Sequence, residues 1–304
     1  MKWEKKGVIY CPRGENEWKN NSFMTPTPFL LTDNTIRVFG AFRDKNGVGR
    51  IGYVDVSADN PCKVITVSSS PVLGIGEPGA FDDNGVILGD VIKVGSELYM
   101  YYVGFQLAQK VKFFAFSGLA ISKDNGNTFY RYSKCPIMDR TGNALHIRAI
   151  HSVIVENNLF KVWYAVGNGW EMINNIPYPK YDIKYTESHD GVHFDNGYEV
   201  HCLNVEIDEY RIGRPRVRKV FNQYEMMFTS DTLRKDYRIS SAVSKDGKEW
   251  VRSDIVPIDV SLTGWDSEMV CYPACISVKD KTYMFYNGNN MGLSGFGYAE
   301  LLSD

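Results

Sequence analysis

One short pattern of residues occurs twice in the chain, at widely separated positions. AFDDNGVILGDV spans residues 80–91 and GWDSEMVCYPAC spans residues 264–275, and a gapless alignment matches Asp82 with Asp266. In each copy an aromatic-rich segment, LYMYYVG or TYMFYNG, follows and places a tyrosine 20 positions after the aspartate. Chance rarely produces a shared offset of this length, so the pattern predicts an internal repeat in which the two aspartates have the same structural role.

Three further segments have the form of these aromatic-rich segments. They are NTIRVFGAF, ENNLFKVWYAVGNG and FNQYEMMFTS. An aromatic residue near the end of each of the five segments serves as an anchor, and the anchors are separated by 63, 62, 64 and 58 residues: Phe39, Tyr102, Tyr164, Phe228 and Tyr286. These periods account for the whole chain, which predicts a single domain over residues 1–304.

Each period contains signals for strands and none for a sustained helix. Turns such as ISKDNGNTF (121–129), ESHDGVHF (187–194) and VSKDGKEW (243–250) combine Ser, Asp and Gly. Ser and Asp side chains bond the local backbone and Gly adopts a positive φ, so these are hairpin turns. Four strands in each of five periods predict an all-β fold, a five-bladed β-propeller with four-stranded antiparallel blades. The N-terminal strand GVIYCP (7–12) would pair with GFGYAEL (295–301) in the last blade and close the ring.

Bulk composition excludes several classes of partner. The net charge of −2 gives no field that would favour nucleic acid or an anionic membrane. No segment approaches the ~20 consecutive apolar residues that a membrane span needs, and the first residues lack the apolar core of a signal peptide. We therefore expect a soluble, cytoplasmic protein with no nucleic-acid or membrane partner.

Candidate binding residues lie at the starts of the predicted first strands, which line the centre of a propeller. The starts read LGD, IHS, RPR and YPA, and the first period has PTP at this point. These starts supply His151, Arg214, Arg216 and Tyr272, with Arg148 just before them. The three arginines could bind a carboxylate or phosphate through paired hydrogen bonds. Alternatively, Arg148 and His151 satisfy backbone groups where a strand begins.

Candidate catalytic carboxylates are those that the repeat does not require. Asp83 aligns with Ser267, Glu268 aligns with Asn84, and Glu209 stands shortly before the fourth predicted first strand. Two carboxylates can cleave a glycosidic bond, one as the acid and the other as the nucleophile or base. For each of the three, a solvated or arginine-paired structural role remains the alternative.

Two loop residues could form a platform for a sugar ring. Trp170 follows the third anchor and Asn289 follows the fifth. An aromatic face can stack on a sugar, although packing is an equal explanation for Trp170. The sequence contains no phosphate-binding glycine loop, no HExxH and no GxSxG, which argues against nucleotide hydrolysis, zinc proteolysis and esterase chemistry.

The motifs FDDNGV, ISKDNGNTF, GRPRV, VSKDGKEW, GWDSEMVCYP and YMFYNGNNMGLSGFGYAEL together resemble a known superfamily. It is the five-bladed β-propeller glycosidases, with the arabinanases, the invertases and levansucrases, and the mannoside phosphorylases. The chain resembles most its uncharacterised bacterial members near surface-polysaccharide genes, over residues 25–301. The first period has TPTPF where arabinanases and invertases carry an acidic start.

This resemblance implies a central pocket with an acid/base pair and a third carboxylate, here Asp83, Glu209 and Glu268. It implies a carbohydrate or sugar-derivative substrate and no cofactor or catalytic metal. Some relatives carry a structural calcium, which is possible here too.

Three functions follow as hypotheses. The first is a glycoside-active enzyme that hydrolyses or transfers a glycosyl unit, on a sugar that is acidic or derived from a surface polysaccharide. The second is a glycoside phosphorylase in which the arginines and His151 hold inorganic phosphate. The third is a propeller that binds a sugar or sugar nucleotide without turnover, which the missing acid of the first period favours.

Overall fold

Antiparallel strands form almost all of the regular secondary structure of this protein, a computed structural model that describes residues 2–195 and 197–302. These residues contain twenty strands and one helical turn, α1 (Asn289–Gly292). The expectation of an all-β fold is therefore confirmed. Among the described residues, no helix is long and apolar enough to cross a membrane.

The first sheet is a four-stranded antiparallel meander near the N-terminus. Its strands pair in the order β2-β3-β4-β5. Their bounds are β2 (Asn21–Thr32), β3 (Thr35–Arg43), β4 (Gly49–Ser57) and β5 (Val64–Val67).

The second sheet has eight strands and contains two such meanders. They are joined by a short parallel pairing of β8 with β10, at Ile147 with Ala115 and at Arg148 with Phe116. The first meander comprises β6 (Val86–Val94), β7 (Glu97–Leu107), β8 (Phe113–Ser122) and β9 (Tyr130–Arg131). The second comprises β10 (Ile147–Glu156), β11 (Leu159–Ile173), β12 (Ile176–Ser188) and β13 (Val200–Leu203).

Two further four-stranded sheets complete the fold. One pairs in the order β14-β15-β16-β17, with β14 (Glu209–Val220), β15 (Gln223–Thr232), β16 (Tyr237–Ser244) and β17 (Val251–Arg252). The other has the order β1-β20-β19-β18 and joins the two ends of the chain. Its strands are β1 (Trp3–Tyr10), β18 (Cys271–Val278), β19 (Lys281–Asn287) and β20 (Phe296–Leu301), and β1 pairs antiparallel with β20.

The core lies between successive meanders. The five anchors occupy it and are each 0 % exposed: Phe39, Tyr102, Tyr164, Phe228 and Tyr286. Phe39 and Tyr102 share one cluster, which joins the first meander to the second. The last sheet packs on the first through another cluster, which contains Tyr283 and Phe23. The spacing of aromatic residues therefore reports the repeated need to fill the space between neighbouring sheets.

The Ser-Asp-Gly turns form as the sequence predicts and also link neighbouring meanders. The Ser188 hydroxyl accepts the backbone N–H of Gly191 at 2.9 Å, and Gly191 has φ 73°. The carbonyl oxygen of this glycine accepts the Tyr101 hydroxyl at 3.0 Å. Gly247 accepts the indole N–H of Trp163 at 2.8 Å in the same way. Each of these turns thus stabilises a buried aromatic residue of the preceding meander.

The first strands of the five meanders lie side by side. They are β2, β6, β10, β14 and β18, and each contacts the next, while β18 contacts β2. Side chains that leave these strands toward the common centre can therefore meet, although they come from distant parts of the sequence.

Candidate active site

Every first strand carries an irregularity where the candidate site forms. The register breaks between Leu88 and Asp90 in β6 and between Ile150 and Ser152 in β10. Equivalent breaks lie in β2, β14 and β18, and the residues displaced from the ladders include Thr25, Gly89, His151, Arg214 and Tyr272. A β-bulge bends the strand and re-aims a side chain. Three of the predicted binding residues, His151, Arg214 and Tyr272, are therefore bulge residues.

Arg214 is a buried cation without a carboxylate partner. Its side chain is only 5 % exposed, and Nη1 donates to the carbonyl oxygen of Leu88 and lies 2.9 Å from Nδ1 of His151. Within the described part of the chain no Asp or Glu forms an ion pair with it. Burial, followed by repulsion from Arg216, lowers the pKa of Arg214 to about 9. The guanidinium is still charged near neutral pH, and the nearby Asp90, which is itself paired with Arg216, only partly offsets the cost of burying that charge.

Arg216, in contrast, is neutralised by Asp90. Its Nη1 lies 2.8 Å from Oδ1 of Asp90 and also donates to the His151 carbonyl oxygen at 2.9 Å. The Asp90 carboxylate accepts two backbone N–H groups as well, from Val91 and Val153, each at 2.8 Å. Asp90 is therefore fully engaged and holds two first strands together.

His151 is a neutral hydrogen-bond acceptor. Burial, and then the charges of Arg214 and Arg216, place the pKa of His151 well below its ordinary value. With Nδ1 unprotonated, the ring accepts a hydrogen bond from Arg214. His151 therefore orients the guanidinium without adding charge.

Tyrosines form the wall beside Arg214. The Tyr272 ring lies 5.9 Å from the Arg214 guanidinium and meets Tyr237 edge-on, with centroids 5.9 Å apart. The hydroxyl of Tyr237 is 3.4 Å from that of Tyr181. Arg43, at the end of β3, lies within electrostatic range of this wall: burial lowers its pKa, and Tyr272 is the ionisable group that acts on it. No described residue forms an ion pair with Arg43.

A second group of charges adjoins this wall. Arg211 lies 5.4 Å from the Tyr181 ring and 5.1 Å from the Tyr237 ring, and its Nη2 is 2.6 Å from the Asp231 carboxylate. Lys235 contacts the same carboxylate at 2.6 Å.

The whole set, called here the arginine cluster, contains five cations and two carboxylates. It comprises Arg43, Arg211, Arg214, Arg216, Lys235, Asp90 and Asp231, with His151 and the three tyrosines. Five positive charges against two negative ones leave an excess of three, in a chain whose net charge is −2.

The contacts of Arg148 correspond to the structural alternative that the sequence left open. Arg148 donates to the Asp139 carbonyl oxygen at 2.8 Å and pairs with Glu199 at 3.1 Å. Glu199 also accepts the hydroxyl of Tyr164 at 2.5 Å and binds Lys184 at 3.0 Å. The charge of Arg148 is thus compensated within its own meander, which favours its structural alternative.

The three predicted catalytic carboxylates have different surroundings. Asp83 is half-buried and accepts the Gly79 backbone N–H at 2.8 Å and the Asn84 amide at 2.6 Å. Both oxygens of Glu209 are bound by Arg252 of the outermost strand β17, at 3.0 and 2.6 Å. A carboxylate held in this way cannot readily exchange a proton with a substrate, so the contacts of Glu209 favour its structural alternative.

Glu268 is exposed, and its loop adjoins the tyrosine wall. Its carboxylate has no hydrogen bond or ion pair to any described residue, while its carbonyl oxygen accepts a hydrogen bond from Arg238 at 2.9 Å. Two residues later, the Val270 N–H donates to the Tyr237 carbonyl oxygen at 3.4 Å.

The two predicted platform residues are both engaged in packing or bracing. Asn289 accepts the backbone N–H groups of Glu268 and Met269 through Oδ1, at 2.8 and 3.1 Å, and donates to the Gly264 carbonyl oxygen. Asn289 therefore fixes the Glu268 loop and has little capacity left for a sugar. The half-buried Trp170 packs edge-on against Phe113 and His146, which corresponds to the packing alternative.

The repeated aspartates of the opening pattern are buried ion-pair partners. Asp82 binds Arg131 at 2.7 Å, and Asp266 binds Lys5 at 2.8 Å and the Tyr286 hydroxyl at 2.9 Å. These contacts match the structural role that the repeat predicts for both.

Sequence reasoning missed several members of the arginine cluster. Asp90 stands in the predicted strand start LGD, and Arg43 directly follows the first anchor strand, so both were within reach of the alignment. Tyr181, Tyr237 and Arg211 carry no distinguishing local signal. In the described residues, no group of three or more His, Cys, Asp or Glu side chains is arranged to hold a metal ion.

Comparisons with known proteins agree with this architecture. The family model of β-1,4-mannooligosaccharide phosphorylase matches residues 152–294, a range that contains Arg214, Arg216 and Tyr272. The uncharacterized protein Rv1502 of Mycobacterium tuberculosis is 32 % identical over 303 residues, covering 99 % of both chains.

Solved structures show the same fold at low identity. A glycoside hydrolase matches with TM-score 0.72 and 18 % identity, over 98 % of this chain and 90 % of that one. A second match has TM-score 0.70 and 15 % identity, over 98 % of this chain and 93 % of that one. Its description states that the GH130 family of mannoside phosphorylases contains glycoside hydrolases that target β-1,2 mannosidic linkages in Candida mannan. The chain therefore belongs to one family with the mycobacterial protein Rv1502, and it shares its fold with glycoside hydrolases of known structure.

Proposed function

We propose that this glycoside-active protein works by phosphorolysis, with inorganic phosphate bound at Arg214. The glycosidic bond between the anomeric carbon and the leaving oxygen would break, a phosphate oxygen would bond to that carbon, and an acid would protonate the leaving oxygen. The products would be a sugar 1-phosphate and a shortened sugar. The observation that carries the proposal is the buried charge of Arg214, which forms no ion pair with any described residue.

Burial of an unpaired cation is costly, so a bound anion is the natural partner of Arg214. The guanidinium is planar and matches two phosphate oxygens at once. Arg43 lies within electrostatic range of Tyr272, and His151 fixes the orientation of Arg214. The cluster therefore has the charge and the donor geometry for phosphate.

The carboxylates favour phosphate over water as the nucleophile. Hydrolysis requires two free carboxylates, whereas phosphorolysis requires one acid because phosphate attacks the sugar itself. Asp90 and Asp231, the two carboxylates of the cluster, each form an ion pair with an arginine. Of the predicted catalytic residues, Glu268 and Asp83 remain the candidates for the acid. We favour Glu268, since its carboxylate has no partner in the described residues and its loop borders Tyr237.

The same proposal includes the arrangement of the whole chain. We propose that residues 1–304 form one five-bladed propeller, closed by the N-terminal strand, with the arginine cluster in its central channel. The cyclic contacts of the five first strands and the pairing of β1 with β20 support this arrangement.

The test is turnover of mannooligosaccharides with and without inorganic phosphate, with sugar 1-phosphate as the product that is measured. We expect product only when phosphate is present, and a loss of at least about 100-fold in kcat for Glu268→Gln. The same loss in Asp83→Asn instead would assign the acid to Asp83. Glu209→Gln is the matched control and should retain most of its kcat. Free mannose released at the same rate without phosphate would refute phosphorolysis.

A second candidate function is the binding of a sugar nucleotide or another anionic sugar without turnover. The occupation of both carboxylates in the cluster favours it. It predicts binding of sugar phosphates that Arg214→Met abolishes, and no product from any glycoside in the presence of phosphate.

A further inference from the structure

A second recess lies beside the first sheet, at the end where β2 begins and β3 ends. Its volume is about 640 Å³, and its lining includes Asn16, Glu17, Trp18, Asn20, Lys45 and Asn46. We call it the Trp18 recess. The sequence analysis predicts no role for this recess, and its lining contains no member of the arginine cluster.

Trp18 is held in a fixed orientation in this recess. Its indole N–H donates to the Ser69 carbonyl oxygen at 3.3 Å, and its ring meets Phe42 edge-on with centroids 5.0 Å apart. The ammonium of Lys19 lies 5.8 Å from the ring centroid. The side chain is nevertheless only half-buried. A pre-oriented aromatic surface that remains accessible binds a flat apolar face at little cost in conformational entropy.

The polar side chains around Trp18 have unused hydrogen-bonding capacity. The Glu17 carboxylate, the Asn46 amide and the Lys45 ammonium form no side-chain hydrogen bond or ion pair with any described residue. They are exposed and surround the recess. Together they offer both donors and acceptors, which is what a ligand rich in hydroxyl groups requires.

The charge of the Trp18 recess distinguishes its ligand from that of the arginine cluster. Asp44 pairs with Arg50 at 2.9 Å, and the remaining charges are one carboxylate and one ammonium, of Glu17 and Lys45. The recess is therefore neutral overall, whereas the arginine cluster has an excess of three positive charges. An anion would gain nothing here, and an uncharged ligand pays no electrostatic penalty.

We propose that the Trp18 recess is a second carbohydrate-binding site, which takes an uncharged sugar with its apolar face on Trp18. Asp44, which lines the recess, directly follows Arg43 of the arginine cluster in the chain. The recess would hold distant units of an oligosaccharide whose end reaches Arg214. Only this last step rests on the proposed function; the binding of an uncharged sugar does not.

The experiment is a calorimetric titration with uncharged mannotriose and mannohexaose, without phosphate. Trp18→Ala should weaken binding about tenfold or more. Because Trp18 packs on Phe42, a second variant tests the site without touching the core: Lys45→Ala with Asn46→Ala. Its matched control is Lys245→Ala with Asn222→Ala, in another recess that is lined by lysines and has no tryptophan. The control should bind as the wild type does.

A third variant separates this inference from the proposed function. Arg214→Met should abolish the effect of phosphate but leave mannotriose binding at the Trp18 recess unchanged. The inference is overturned if the wild type fails to bind either sugar, or if binding survives both Trp18→Ala and the double variant. It is also overturned if Arg214→Met alone removes binding, because the sugar would then occupy only the arginine cluster. Thermal unfolding of each variant confirms that it is folded.

Discussion

Two buried arginines of β14 should lose very different amounts of stability on the same substitution. Arg211 and Arg214 lie three positions apart and are both 5 % exposed, but only Arg211 pairs with a carboxylate. We predict that Arg211→Met strongly destabilises the fold. Arg214→Met should cost little in the absence of anions, and it should remove stabilisation by phosphate.

The magnitudes follow from the partners of each charge. Lowering the pKa of Arg214 from 12.5 to about 9 corresponds to roughly 5 kcal/mol by which the folded state disfavours its charged form. Methionine removes that cost but also two hydrogen bonds, worth about 1.5–3 kcal/mol each, so the net change should stay within about 2 kcal/mol of zero. Removing Arg211 leaves the buried Asp231 under-compensated, which costs about 3–5 kcal/mol.

The sign of the pH dependence is fixed by the same shift. The folded-state pKa of Arg214 lies below that of the unfolded chain, so its cost is fully present below about pH 9 and disappears as the pH rises toward 12.5. Near neutral pH, a bound anion is therefore the way to offset it. Phosphate at 100 times its Kd should stabilise the wild type by about 2.7 kcal/mol and leave Arg214→Met unchanged.

The assay is urea denaturation in a low-salt zwitterionic buffer, with and without phosphate, for the wild type and both variants. Without phosphate, a loss of stability in Arg214→Met as large as that in Arg211→Met would contradict the prediction. Equal stabilisation of Arg214→Met and the wild type by phosphate would contradict it as well.

Three further changes probe the surroundings of the arginine cluster. The pKa of His151 lies well below its ordinary value, so below about pH 6.5 the histidine is protonated only in the unfolded chain, and the free energy of unfolding falls by up to ~1.4 kcal/mol per pH unit. His151→Asn keeps an acceptor for Arg214 and should flatten this decline in denaturation curves recorded between about pH 7 and 5. Asp90→Asn leaves Arg216 uncompensated and should cost about 3–5 kcal/mol in urea denaturation, part of which phosphate restores; an unchanged midpoint would contradict the role of this pair. Glu209→Gln weakens a charge-assisted contact and should cost about 1.5–3 kcal/mol of stability with kcat nearly unchanged, whereas a stable but inactive variant would make Glu209 catalytic after all.

The sequence predicted the all-β fold because the repeat imposes one packing problem several times. Each anchor aromatic fills the space between two sheets, and this requirement is local enough to appear as a spacing in the sequence. The sequence could not show that β8 and β10 pair in parallel and so merge two meanders. That pairing involves only two residues on each strand, and it depends on tertiary contacts and not on a pattern in the sequence.

The candidate site was predictable only where its residues share a position in the repeat. His151, Arg214, Arg216 and Tyr272 came from strand starts, and the structure brings them together. Two other predicted residues, Arg148 and Glu209, are bound by partners far away in the sequence, which no spacing reveals. Arg148 is paired with Glu199, 51 positions away. The same applies to Glu209, whose partner Arg252 is 43 positions away.

The bulges explain why the fold places binding residues at these positions. Thr25, Arg214 and Tyr272 each have a positive φ of 56–57° and each precede a proline, a conformation that costs a non-glycine residue about 1–2 kcal/mol. The two other first strands have Gly89 and His151 at the equivalent position, and a Cβ at Gly89 would lie only 2.2 Å from the Ile150 carbonyl oxygen. The strands β6 and β10 thus approach each other closely at their bulges. A side chain that leaves a strand at a bulge can enter the centre instead of the space between sheets, so the strain is the physical cost of re-aiming Arg214 and Tyr272.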